Sequence, residues 1–215
     1  MVATCLGLLW GLLQGVRHAI EPDHLAAVST LVAQRRGERP ATAYAAAWGA
    51  GHAAVLLAVG GGLFLLRARL PGRVAAGFEL CVALVLVLLG SRALRGSLRA
   101  VRPDASPRPA HPGSRAAAGQ PLLVGCVHGL AGSGAVAAVV GAQMPSAVAG
   151  LAYLVLYGGG AALGMAMLAG AAGVPLAWLL RTRRGFPALL ATTGSVSLVL
   201  GIAWGWSAAR PALLP

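Results

Sequence analysis

The 215-residue sequence has no lysine, only five acidic residues, and charge on just 10% of its positions. A soluble domain carries roughly 25%. That deficit, beside 58% hydrophobic residues, excludes an ordinary soluble domain and indicates a polytopic membrane protein. Every basic residue is Arg, which we read as genomic base composition, not as chemistry. The net charge of +12 does not indicate nucleic acid. The arginines sit in short segments between apolar runs, without interleaved aromatics, and act as topology signals and lipid-headgroup contacts. The three cysteines, Cys5, Cys81 and Cys126, form no CxxC pair, which excludes a zinc knuckle and a dithiol redox motif. No basic region precedes the first apolar run, so that run is expected to stay as a helix and not to be cleaved as a signal peptide.

A membrane-spanning helix needs about 20 mostly apolar residues. Six segments meet that length: Val2–Val32, Ala41–Leu66, Val74–Leu94, Pro121–Ala142, Ala147–Ala172 and Phe186–Ala208. The first is too long for one straight span, and it contains Pro22, which removes a backbone donor and kinks a helix. Twelve arginines lie in the odd-numbered connections and four on the opposite side. The odd loops are therefore predicted in the cytoplasm, with both termini outside the cell (inner) membrane. Residues 96–120, rich in Pro, Ala, Ser and Arg and containing His111, read as a flexible cytoplasmic loop. They divide the chain into 1–95 and 121–215.

The two parts resemble each other. At a shift of 110, Gly15-Val16-Arg17-His18 falls on Gly125-Cys126-Val127-His128. At a shift of 109, Ala43-Tyr44 falls on Ala152-Tyr153, Trp48 on Tyr157, Gly49 on Gly158 and Gly51 on Gly160. Three spans per copy is an odd number, so the second copy must be inverted in the bilayer. The predicted fold is therefore all-α, a polytopic helical membrane protein of about six helices in two inverted three-helix repeats. Secondary transporters use such an architecture.

Arg17-His18-Ala19-Ile20-Glu21-Pro22-Asp23-His24 sets five polar or charged side chains inside an apolar run. Unpaired, Arg17, Glu21 and Asp23 would cost roughly 9 kcal/mol on the insertion scale. Arg17 and Glu21 are four apart and can pair on one helical face. His18, Asp23 and His24 then remain, and imidazole with carboxylate suits nickel, cobalt, zinc or iron. In a continuous helix His18 and His24 stand about 120° apart around the axis. A break at Pro22 would bring them together and free the His18 carbonyl. Such a break is tolerated at membrane depth only against protein or a water-lined cavity. His52 lies about 16 Å into the second span at 1.5 Å per residue, a depth that matches the motif. His128 is the repeat image of His18, but Asp23 and His24 fall on Ser133 and Gly134. The metal candidates are thus His18, Asp23, His24 and His52, with His128 and Glu21 behind them. Glu79, near the end of the third span, is accounted for by snorkelling to the interface.

His18-Ala19-Ile20-Glu21-Pro22-Asp23-His24 resembles the signature of the nickel/cobalt transporter superfamily, a His-Ala followed by an acidic stretch closing in Asp-His. Gly51-His52 resembles its second motif. Val127-His128-Gly129-Leu130-Ala131-Gly132-Ser133 resembles a stretch in its short six-helix branch, which includes urease-accessory-type membrane proteins. The resemblance implies transport of Ni²⁺ or Co²⁺ by one polypeptide without ATP hydrolysis, with His18, Asp23, His24 and His52 as motif residues. The longer branch has eight spans and an Asp-Asn after the signature, where Ser29-Thr30 stands here.

The expected function is transmembrane transport of a divalent transition-metal cation, nickel or cobalt. The rivals are a small-anion exporter of the sulfite type, drawn by Arg17, and a non-transporting membrane accessory of metalloenzyme maturation. A thiol carrier would need a cysteine pair in each half. No nucleophile–base pair or phosphate loop stands outside the spans, so no enzyme is expected. The expected partners are the bilayer and the metal ion, with a metallochaperone or a second copy left open.

Overall fold

The computed structural model describes residues 2–33, 41–68, 70–101, 115–130, 137, 139–180, 182 and 184–213. Their regular elements are all helical: α1 (Val2–His18), α2 (Pro22–Ala33), α3 (Ala41–Leu66), α4 (Gly72–Ala100), α5 (Arg115–Leu130), α6 (Ala147–Leu180) and α7 (Gly185–Leu213). A short helical stretch follows at 139–141. Parts of four helices, Thr42–Leu66, Gly72–Ala100, Ala147–Ala171 and Gly185–Arg210, are long and apolar enough to cross a bilayer. Leu6, Leu9, Trp10 and Leu13 on α1, and Val196, Val199, Ile202 and Trp206 on α7, are exposed. Apolar surface of that extent belongs against lipid, and the chain is a multi-pass membrane protein.

The expected first span is not one continuous helix. α1 has 17 residues, about 25 Å at 1.5 Å per residue, against a hydrocarbon core of about 30 Å. It stops at His18, and α2 starts afresh at Pro22. In the expected fourth span, α5 covers Arg115–Leu130 and residues 139–141 are helical. The loop expected at 96–120 is shorter than its composition suggested: α4 runs on to Ala100 and α5 begins at Arg115. His111 lies outside the described residues.

Local backbone chemistry explains the break in the first span. The Ile20 N–H donates to the Arg17 carbonyl at 3.0 Å and the Glu21 N–H to the His18 carbonyl at 3.1 Å. These three-residue turns tighten the helix end. Pro22 then takes the first position of α2, where its missing N–H costs nothing, and the Leu25 N–H donates to Glu21 at 3.0 Å. Two expectations are corrected. The His18 carbonyl is not freed, because Glu21 occupies it. Arg17 and Glu21 do not pair, because the helix ends between them; Glu21 lies instead against His18.

Glycines set the packing, as small residues do between membrane helices. A Cβ at Gly15 on α1 would strike the Tyr157 carbonyl and the Ala161 amide of α6. A Cβ at Gly125 on α5 would strike the Trp48 carbonyl and the His52 amide of α3. Likewise Gly160 meets Leu12 and Val16, while Gly51 meets Leu122 and Cys126. These contacts rise together along the chain, so α1 runs parallel to α6, and α3 parallel to α5. α3 and α6 run antiparallel, since Gly49 meets Ala162, Ala53 meets Gly158, and Phe64 meets Gly150. α4 and α7 are also antiparallel: Ser97 donates to the Pro187 carbonyl at 2.7 Å, Gly90 meets Gly194 and Leu198, and Gly201 meets Ala83 and Val87.

Candidate metal centre

Three elements deliver the site. The end of α1 turns His18 inward, the first turn of α2 presents Asp23 and His24, and α3 contributes His52 from its glycine-rich middle. All four are buried. The break resolves the angular conflict of a continuous helix, and the His18 and His24 rings stand 4.3 Å apart by their centroids. His52 lies 5.2 Å from each of them.

One ligand nitrogen from each of His18, His24 and His52 falls within 4.8 Å of the others. Two nitrogens on one ion at about 2.1 Å can be no more than about 4.2 Å apart. Side-chain adjustments of a few tenths of an ångström per ring therefore close the group on a cation. Glu21, Asp23 and His24 form a second group by the same criterion, with Glu21 exposed. His24 belongs to both.

The ring contacts also define ligand roles. His24 Nδ1 is 3.0 Å from Asp23 Oδ1. A carboxylate on one imidazole nitrogen makes it the N–H donor and leaves Nε2 basic and free to ligate. Nε2 of His24 has no protein hydrogen-bond partner. His18 Nδ1 approaches Glu21 Oε2 at 2.9 Å without the angles of a hydrogen bond, so it too counts as unpartnered. Both ring nitrogens of His52 and of His128 are likewise buried and unpartnered. Each such orphan costs about 1–3 kcal/mol. A packing role does not explain several of them in one place, whereas a cation would take one nitrogen from each of His18, His24 and His52.

His128 stands behind this group. Its ring lies 5.3 Å from His24 and 5.5 Å from Trp48, but it is not among the three imidazoles that converge. Glu79 belongs to neither ligand group. Sequence reasoning missed the aromatic walls. Trp48 is fully buried 5.4 Å from His24, and Tyr157 lies 5.8 Å from His18. A signal existed for both: Trp48 is four residues before His52, hence on its helical face, and Tyr157 is the repeat image of Trp48.

A partly open cavity of about 330 Å³ reaches the cluster from one side. Trp10, Gln14, Arg17, His18 and Glu21 line it from the first segment, with Ala137, Val140, Tyr153 and Tyr157 opposite. Only His18 of the three converging imidazoles touches it. Trp10 and Tyr153 precede His18 and Tyr157, so the cavity follows α1 and α6 back toward the ends where both begin.

The chain is 31% identical over 202 residues to urease accessory protein UreH of Bacillus sp. (strain TB-90), covering 91% of this chain and 88% of the relative. No protein-family model matches the chain. No solved structure matches it significantly.

Proposed function

This chain belongs to the urease accessory protein UreH family, and from that premise we propose that it carries a divalent transition-metal cation, nickel or cobalt, across the cell membrane. The observation that carries this reading is the set of convergent, buried, unpartnered imidazole nitrogens of His18, His24 and His52. Asp23 orients His24 and supplies negative charge beside it. A nitrogen-rich set with one carboxylate favours borderline transition metals over magnesium or calcium. Urease accessory function in the relative's name favours nickel among them.

The translocation route we propose is alternating access by two inverted three-helix repeats. Three pairs of glycine contacts support it, since Gly15 on Tyr157 matches Gly125 on Trp48, Gly160 on Leu12 matches Gly51 on Leu122, and Gly49 on Ala162 matches Gly158 on Ala53. The antiparallel course of α3 against α6 and of α4 against α7 supports inversion. α1 with α2, and α5 with the stretch at 139–141, then act as the first elements of the two repeats. The cation enters the cavity beside Glu21, binds between the imidazoles, and leaves on the other face as the repeats rock.

The second reading is a non-transporting membrane accessory that holds nickel for a metalloenzyme, which the relative's name fits equally. Flux separates them. The full chain in proteoliposomes is expected to move Ni²⁺ and Co²⁺ in competition, with Zn²⁺ as comparator. Binding without flux would leave the accessory reading in its place. An anion exporter would need Arg17 and would be indifferent to Asp23→Asn.

A further inference from the structure

We propose that the molecule holds a second cation vestibule, closed in this conformation, whose ligand on opening is His128. The inference rests on the cation-carrying reading above and goes beyond it by assigning a site and its walls. His18 and Tyr157 stand 5.8 Å apart, and their repeat images His128 and Trp48 stand 5.5 Å apart. Beneath each pair the backbones meet the same way, through Gly15 against Tyr157 and through Gly125 against Trp48. Two imidazole–aromatic pairs thus occupy equivalent places.

Their surroundings differ. His18 and Tyr157 line the open cavity. His128 is 1% exposed and Trp48 0%, and both His128 nitrogens and the Trp48 Nε1 are unpartnered. Other walls of the open cavity have images too: Trp10 in Gln120, Gln14 in Val124, Val140 in Thr30 and Tyr153 in Tyr44. Thr30 and Val124 are buried, while Gln120 and Tyr44 are half-buried. The image of the open cavity is therefore closed at Thr30 and Val124, beside the orphaned nitrogens of His128 and Trp48. Because α3 runs opposite to α6, that image leads to the opposite face from the open cavity. His24 stands between the two ends, 4.3 Å from His18 and 5.3 Å from His128. It is placed to keep hold of a cation while His18 is exchanged for His128.

The two vestibules differ in charge. Arg17 and Glu21 of the open one fall on Val127 and Ala131. The open side therefore offers a carboxylate to gather a cation.

Sided cysteine labelling tests this in the full chain, with Cys5, Cys81 and Cys126 replaced by Ala. Val140→Cys marks the open cavity and Thr30→Cys its closed image, with Val124→Cys as a second marker should Thr30→Cys fail to insert. A membrane-impermeant methanethiosulfonate is applied to intact cells and to inside-out vesicles. V140C is expected to react from one face only and T30C from the other only, with Ni²⁺ shifting the two rates in opposite directions. His128→Ala is expected to lose Ni²⁺ flux while V140C labelling persists; His128→Asn serves if the alanine variant fails to insert. Labelling of T30C and V124C from the same face as V140C, or of neither in a chain that transports, overturns the proposal. So does wild-type flux in the His128 variant. Absence of Ni²⁺ flux in the wild type overturns the cargo reading instead, while opposite-face labelling would still uphold the two vestibules.

Discussion

At the scale of residues, His24 is the pivot. It touches His18, His52, His128 and Asp23, and it belongs to both ligand groups. His24→Ala is expected to abolish high-affinity Ni²⁺ binding, read by isothermal titration in detergent. Asp23→Asn keeps the shape but removes the charge that orients the ring, and is expected to weaken binding about 10–100-fold. Equal affinity in Asp23→Asn and wild type would remove Asp23 from the site. Protons compete with the cation for the same imidazole nitrogens. A protonated imidazole cannot ligate, so affinity is expected to fall as the medium is acidified. Affinity that rises on acidification would contradict imidazole ligation.

At the scale of elements, the helices are held by close backbone contact more than by large side chains. Adding one methyl at Gly15 or Gly125 drives a Cβ into a carbonyl of the partner helix. Gly15→Ala and Gly125→Ala are each expected to destabilise the fold by about 1–3 kcal/mol, the usual cost of overpacking. A lower Tm in detergent is the measurement. Gly62 sits in α3 with nothing near its missing Cβ, and Gly62→Ala is expected to be neutral or to stabilise by about 0.5–1 kcal/mol. If all three behave alike, helix propensity and not packing governs these positions. The extent of α3 was legible from hydropathy alone, since the expected span and the helix both run Ala41–Leu66. The first span was legible only as a long apolar run with a proline. Composition cannot say that α1 stops at His18, because that depends on the turn at Arg17–Glu21.

At the scale of the whole molecule, the arginine imbalance argues orientation. Epitope tags at both termini are expected to be reached by antibody on intact cells. A tag in the 102–114 segment is expected to need permeabilised cells. The reverse pattern would invert the proposed topology, and the open cavity would then face the cytoplasm. In the first case the cavity opens outward, because it runs toward the ends at which α1 and α6 begin. The direction of cation flow would remain a matter for the flux assay and the electrochemical gradient.

Membrane residence, the number of apolar runs and the identity of the candidate metal motif follow from the order of residues along the chain. Each depends on local composition, and hydrophobicity and ligand chemistry are properties of side chains wherever they stand. Even the internal likeness of the halves could be read from aligned glycines. How His18, His24 and His52 come together could not. His18 and His24 are joined by a tight turn, and His52 reaches them across 28 residues, because glycine contacts lock α1 against α6 and α3 against α5 and α6, while Thr30 ties α2 to α7. Only that packing distinguishes His18, beside an open cavity, from His128, its image in a closed seam. The two residues have similar sequence surroundings, and their difference lies in how the halves lean on each other.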